Sequence, residues 1–346
     1  MSDAGSQEGV EAMTRTTLKD VAARVGVSAK TVSNVVNGTG WVTDELAARV
    51  REAISELGYR PNVAARQLRS GRSRMIALAL PELSQPYFAE LASELVRAAQ
   101  ERSITVLVHQ TDGRADIERR ISDGIDAPVM DGLIMSPLAL GAKDLDTRID
   151  PTPLVLLGEH IGDGGFAHVT VDNTAAAATA TEHLLSLGCR RIAAIGAQTT
   201  GPNETAVLRL AGYRMALEAA GIEYDDRLVF EVDEFHRADG AAAARRILES
   251  GAEPDAVFAF NDLLALGAMH VLITGGVRVP DDIAVIGFDD IEESRYSTPA
   301  LSSISPDTPA LARLAIDLIY EGPPTPGIHT VGFTVAHRAS TKGPTE

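Results

Sequence analysis

Ala29, Lys30, Ser33 and Asn34 fall at helical spacing within residues 28–37, Ser-Ala-Lys-Thr-Val-Ser-Asn-Val-Val-Asn. An ammonium, a hydroxyl and a carboxamide on one helix face can donate and accept along base-pair edges, and the Ala29 methyl can meet that of thymine. The opposite face, Val32, Val35 and Val36, is apolar and needs a partner. The preceding residues supply one, because Leu18, Val21, Ala22 and Val25 also recur at helical spacing. Thr17 can cap that first helix, with Asp20 closing the box and meeting the positive helix end. Gly26 allows the positive φ of a tight turn, and Ser28 caps the second helix. Ala22 is small enough for the two helices to cross closely. The pattern is a helix-turn-helix whose second helix suits a major groove.

Val42-Thr43-Asp44 opens a third helix with Leu46, Val50, Ile54 and Leu57 inward and Gly58 as its stop. Residues 58–73 are basic and poor in apolar side chains; Pro61 and Asn62 read as a helix start, and Leu68 is prominent and exposed. So short a helix nucleates badly and orders only against a partner surface. Charge divides the same way. Residues 14–74 hold eleven basic and five acidic side chains, a balance of +6, so the rest carries −23 within a net charge of −17. A basic head on an acidic body is the pattern of a DNA reader joined to a separate sensing module.

After Arg74, apolar runs such as Met75–Leu80, Ile104–His109, Gly132–Ser136, Arg191–Gly196, Ala256–Phe260 and Ala284–Phe288 alternate with helical stretches such as Pro86–Arg102, Leu208–Ala220 and Leu263–Thr274. This predicts two doubly wound parallel-sheet lobes rather than one large sheet. Ligands of such sheets sit beyond the carboxyl ends of strands. Asp172-Asn173, Asn261-Asp262 and Asp289-Asp290 stand there. Helix capping is the expected role of Asp172 and Asp262, and ligand contact that of Asn261 and Asp289.

No catalytic, cofactor or metal role is expected. The sequence has no Walker loop or nucleophile elbow, and its histidines lack metal-ligand spacing. Gly162-Asp-Gly-Gly-Phe-Ala formally matches a dinucleotide fingerprint but runs into a strand instead of a helix. Cys189 is the only cysteine, which excludes a disulfide within the chain and suits a reducing cytoplasm. No export signal or membrane-length apolar run is visible. Met1–Met13 reads as a disordered arm, with Met13 as an alternative start.

In the order and spacing of Thr17–Asn37, Gly58–Ser73, Val171-Asp172-Asn173, Leu210-Ala211-Gly212-Tyr213, Phe260-Asn261-Asp262 and Val285-Ile286-Gly287-Phe288-Asp289-Asp290, the chain resembles the LacI/GalR family of bacterial transcription regulators. The resemblance runs from about Thr17 to Thr341. It implies an N-terminal all-α helix-turn-helix head and an α/β body like a periplasmic binding protein. The expected division is an arm at 1–15, the head at 16–60, a hinge helix and linker at 61–73 and the body at 74–341. Lobe one would take about 74–170 and 305–330, and lobe two about 171–304 and 331–341.

The resemblance also implies a homodimer on a near-palindromic double-stranded DNA operator, most often as a repressor. A small-molecule effector, most often a carbohydrate, would bind between the lobes. Thr17, Ser28, Thr31, Asn37 and Tyr59 join Ala29, Lys30, Ser33 and Asn34 as expected DNA contacts in the head. Asn62, Ala65, Arg66 and Leu68 are those of the hinge. In the cleft, Arg209 would clamp the effector, Asn261 and Asp289 would bond it, and Phe88 and Phe235 would wall it from opposite lobes. Gly158 stands where many relatives carry aspartate, and Glu159-His160 follow it. A solute-binding protein of a transport system shares this body but has an export signal and no DNA-binding head.

By the same resemblance, Leu68 enters the minor groove as a wedge at the operator centre. Leu68→Ala is therefore expected to weaken operator binding and reduce DNA bending, measured by gel shift with permuted sites. Effector affinity and melting temperature should stay nearly unchanged. A large fall in melting temperature with normal bending would assign Leu68 to packing on the body.

Overall fold

The computed structural model describes residues 16–59, 72–125, 129–159, 165–199 and 204–341. The arm at 1–15, the hinge residues Asn62, Ala65, Arg66 and Leu68, His160 and the start of the Gly162 fingerprint lie outside the described residues, as does the Asn37 side chain. The chain forms two compact units, Met1–Ser73 and Arg74–Glu346.

The head holds α1 (Leu18–Val25), α2 (Ala29–Asn37) and α3 (Asp44–Glu56). The Asp20 carboxylate accepts from both the Thr17 N–H and its hydroxyl at 2.7 Å. Gly26 ends α1 at φ 77°, and Ser28 Oγ accepts from the Thr31 N–H at 3.1 Å to start α2. Val21, Val32 and Val50, one from each helix, are fully buried where the three meet. Each such burial contributes about 1.5–3 kcal/mol. On α3 the deepest contacts are Ala47, Val50 and Ala53, while Leu46, Ile54 and Leu57 pack around the rim.

In the body, the first sheet uses β1 (Met75–Leu80), β2 (Thr105–Gln110), β3 (Gly132–Met135), β4 (Leu154–Leu157) and β5 (Ala167–Val171). Its helices are α4 (Pro86–Glu101), α5 (Ala115–Ser122) and α6 (Ala142–Asp146). The second lobe follows with α7 (Asn173–Ser186), β6 (Ile192–Ala197), α8 (Glu204–Ala219), β7 (Val229–Glu231), α9 (Arg237–Ser250), β8 (Ala256–Ala259), α10 (Asp262–Thr274), β9 (Ala284–Phe288), α11 (Glu292–Tyr296) and β10 (Ser302–Pro306). The chain then returns with α12 (Thr308–Tyr320) and β11 (Gly327–Val331) to the first sheet, and β12 (Phe333–Ala336) closes the second.

The sheet orders are β11-β5-β4-β3-β1-β2 and β12-β10-β9-β8-β6-β7. Each places its first strand between the second and third, so both lobes are doubly wound in the same sense. Side-chain alternation assigns the faces. Ile76, Leu78 and Leu80 of β1 pack with residues of α4 and α12, and Ala77 and Ala79 with Ile121, Leu140 and Leu145 on the other side.

One strand departs from the expected parallel pattern. β12 runs antiparallel to β10, with Phe333 opposite Pro306. β10 leaves lobe two at the border where β12 enters it, so the two must run in opposite senses. The backbone crosses that border three times, between β5 and α7, between β10 and α12, and between β11 and β12. The Asp307 N–H donates to the Gly332 carbonyl at 2.9 Å and ties two of the crossings together.

Helices α7 and α8 meet at Gly212, where an added Cβ would lie 2.2 Å from the Thr174 carbonyl oxygen. A backbone oxygen cannot swing aside as a side chain can. Gly212→Ala is therefore expected to destabilise the body by roughly 3 kcal/mol, the upper end for overpacking. Urea unfolding of the full chain checks this, and an unchanged midpoint would show that the helices separate freely.

Candidate DNA face and effector cleft

On α2, Lys30 is exposed, and Ser33 and Asn34 are half-buried. Ala29 rests against the head core, leaving only part of its methyl accessible. The Ser28 and Thr31 hydroxyls bond to each other at 2.9 Å, and that of Thr17 is held by Asp20. Tyr59 lies at the end of the head. Its N–H donates to the Ile54 carbonyl at 3.0 Å, which folds the chain back over the end of α3. The side chain, 8% exposed, joins the head core and offers little surface to DNA.

In the body, strand ends of both lobes border a cavity of about 740 Å³, lined by Phe88, Arg209, Phe235, Asn261 and Asp289 together. Phe88 comes from α4 of lobe one, edge-on to Tyr87 at 5.3 Å, and Phe235 from the β7–α9 loop of lobe two. The lobes touch at this cavity, where Gln85 Nε2 lies 2.9 Å from His236 Nε2.

Arg209 organises the lobe-two wall. It donates from Nε to Asn173 Oδ1 at 2.7 Å and from Nη1 to the Phe260 carbonyl. Its guanidinium lies 3.5 Å from the Phe288 ring centroid, and Nη2 is 3.8 Å from Asp289 Oδ1. The resemblance implied a fork aimed at the effector; here much of the fork is committed to the protein. Asp289 sits at φ 104°, sparse territory for a non-glycine residue, held by its N–H donating to the Ile304 carbonyl at 2.9 Å. Burial raises the Asp289 carboxyl to about 7, with Arg209 opposing and Glu159 and Glu90 adding to the rise.

In the adjacent pair Asn261-Asp262 the expected helix cap passes from Asp262 to Asn261, and Asp262 takes neither a capping nor a cavity-lining place. Asn261 caps α10, accepting from the Leu264 N–H at 2.9 Å and donating to the Phe235 carbonyl at 3.1 Å. It lines the cavity, but both ends of its amide are occupied. Asp262 is fully buried and accepts from the Ile291 N–H at 3.0 Å and from the Ser294 and Ser303 hydroxyls, each at 2.6 Å. Burial drives its carboxyl well above the usual range. Asp172 does cap α7, accepting from the Ala175 N–H at 2.9 Å.

Three site residues escaped the sequence reading. Asn173 stands in the quoted Val-Asp-Asn segment, and its position after a strand was the available signal. Glu159 follows Gly158 and accepts from the Thr170 hydroxyl, from Asn173 Nδ2 and, at 2.8 Å, from the Thr205 hydroxyl. Tyr87 adjoins Phe88, and burial pushes its hydroxyl above the usual pKa, so it stays neutral. Among the described residues no group of acidic, histidine or cysteine side chains could hold a metal ion, and no helix is long and apolar enough to cross a membrane.

Family models match residues 17–62 as bacterial regulatory proteins of the lacI family and residues 181–341 as a periplasmic binding protein-like domain. The HTH-type transcriptional regulator CelR of Thermobifida fusca is 37% identical over 327 residues, covering 90% of this chain and 94% of that protein. The ribose operon repressor of Escherichia coli K12 is 33% identical over 308 residues, 88% of this chain and 92% of that one. A solved CelR–cellobiose complex aligns at a TM-score of 0.68 and 33% identity, covering 94% of this chain and all of that one. A lac repressor dimer bound to operator and the anti-inducer ONPF aligns at 0.80 and 26% identity, covering 95% and 99%. This two-unit architecture is that of a DNA-binding transcription regulator. The chain belongs to the LacI family of bacterial regulatory proteins.

The raised Asp289 carboxyl has a consequence for stability. Its folded value of about 7 lies above the reference of 3.8. This group's contribution favours the fold below the reference value and is lost as pH rises through the folded value. Asp289→Asn removes that dependence. The stability of the variant minus that of the parent should grow more positive from about pH 5 to about pH 8. Chemical denaturation at both pH values checks the sign, and a flat difference would place Asp289 in an ordinary solvated setting.

Proposed function

We propose that this protein is a cytoplasmic repressor, active as a homodimer, whose affinity for a near-palindromic operator is set by a sugar or sugar derivative bound between its lobes. One observation carries the effector reading. Aromatic Phe88 and Phe235 from opposite lobes face one cavity with the half-free carboxylate of Asp289 and the partly occupied fork of Arg209. Aromatic walls and a few directed polar groups are what a polyhydroxylated ring requires. The sugar named with the CelR structure supports that class. The protein works by binding and conformational change, not by catalysis.

Two heads related by two-fold symmetry require two half-sites about one helical turn apart, and a single head contacts too little DNA for useful specificity. The apolar side chains Leu107 and Val108 on edge strand β2, 37% and 39% exposed, are available to a second copy. The effector would bias the lobes toward one closure state and so bias operator affinity. Thr17, Ser28, Thr31, Ser33 and Asn37 are assigned to positioning on DNA, Lys30 and Asn34 to reading bases, and Ala29 to a thymine methyl or to no contact.

Footprinting on the protein's own promoter tests the symmetry; a single half-site as the tightest target would overturn the dimer reading. Asn34→Ala should cost about 1–3 kcal/mol at one base pair of each half-site, read by binding to a substituted operator set. A uniform loss over all sequences would reassign Asn34 to phosphate contact. Gel shifts with cellobiose and with ribose test the effector class, and Asp289→Ala should abolish the response while leaving DNA binding intact.

A further inference from the structure

We infer that the effector carries no negative charge, and that the cleft rejects the phosphorylated or carboxylated form of the molecule it binds. The inference builds on the effector cleft proposed above and concerns its charge. Six carboxylates line the cavity: Glu82, Asp112, Glu159, Asp233, Glu234 and Asp289. Arg209 and His236 are the cationic or potentially cationic side chains among the lining residues.

Both are already faced by carboxylates or held by the protein. Arg209 uses Nε on Asn173 and Nη1 on the Phe260 carbonyl, and its Nη2 lies 3.8 Å from Asp289 Oδ1. One face of its guanidinium is covered by the Phe288 ring at 3.5 Å. His236 stands between Glu82, 3.1 Å from Nε2, and Glu234, 2.8 Å from Nδ1. An entering phosphate or carboxylate therefore meets no cation that lacks an acidic neighbour.

The cleft nonetheless offers acceptors. The Asp289 side chain is 10% exposed, and among the described residues its carboxylate meets only Arg209, at 3.8 Å. A ligand hydroxyl can donate to it in a charge-assisted bond. An anion in the same place would lose its hydration and meet like charge. A regulator built this way reads a sugar before a phosphoryl group has been added to it.

Calorimetry on the full chain with matched pairs tests the inference. The pairs are cellobiose with its 6′-phosphate, ribose with ribose 5-phosphate, glucose with glucose 6-phosphate and with glucuronate, and hypoxanthine with inosine monophosphate. At least one uncharged member should bind, with its anionic partner at least about thirtyfold weaker, about 2 kcal/mol. The gap should narrow between about 0.05 and about 0.5 M salt, and in the double variant Asp233→Asn, Glu234→Gln. An anionic member that binds as well as its neutral partner overturns the inference, and so does a set in which no neutral member binds. A sugar phosphate as the preferred ligand would leave the sugar reading standing and remove the charge rule. A preference confined to the hypoxanthine pair, with the nucleotide rejected, would do the reverse.

Discussion

A guanidinium placed in a cavity wall must have most of its donors met, because an unpaired buried charge is costly. Arg209, 7% exposed, meets that condition through three different segments of lobe two. Asn173 at the start of α7, the end of β8 at Phe260, and the β9 end at Phe288 and Asp289 all converge on it. Asn173 can present its oxygen to Arg209 because its amide nitrogen donates to Glu159, a residue of lobe one. Glu159 also accepts from Thr205 of lobe two. The charge on α8 is thus held by both lobes, and the cleft geometry depends on that arrangement.

The head was legible because its determinants are local. The Thr17–Asp20 box, the Gly26 turn and the Ser28 cap each act over a few residues. The alternation of strands and helices from Met75 to Phe288 was legible because most buried strands there, β5 with its His168 and Thr170 excepted, are apolar runs. β10 was not, since Ser-Ser-Ile-Ser-Pro looks like a loop. Its Ser302 and Ser303 are buried, and their partners lie far along the chain: the Ser302 N–H donates to Ser340 Oγ at 2.7 Å, and the Ser303 hydroxyl to Asp262 at 2.6 Å. The cap went to Asn261 rather than to Asp262 for a related reason. Either type can cap a helix, and the choice was made by Ser294 and Ser303, which claimed the aspartate from outside any local window. The five residues expected in the cleft do line one cavity, as strand ends and aromatic segments carry a positional signal. Their internal partners, Asn173 and Glu159, were missed because hydrogen-bond commitments are set by tertiary structure.

Acidic groups recur where the lobes meet. Glu90 on α4 accepts from the Glu292 N–H of lobe two at 2.8 Å, and burial raises its carboxyl above the usual range. With Gln85 and His236 on another part of the cleft, this gives the lobes contacts that need no ligand. The conformation therefore has polar contacts of its own between the lobes, and an effector shifts it only by the difference in its affinity for the states it can reach.

Three backbone crossings within one border act as a mechanical joint. Two peptide strands could still shear past each other, but a third tether, with Asp307 hydrogen-bonded to Gly332, removes most sliding freedom. What survives is rotation about an axis through the joint. Such a linkage leaves closing and twisting of one lobe against the other as its soft motions, so the shape of an occupant would be read out as an angle and not as a displacement.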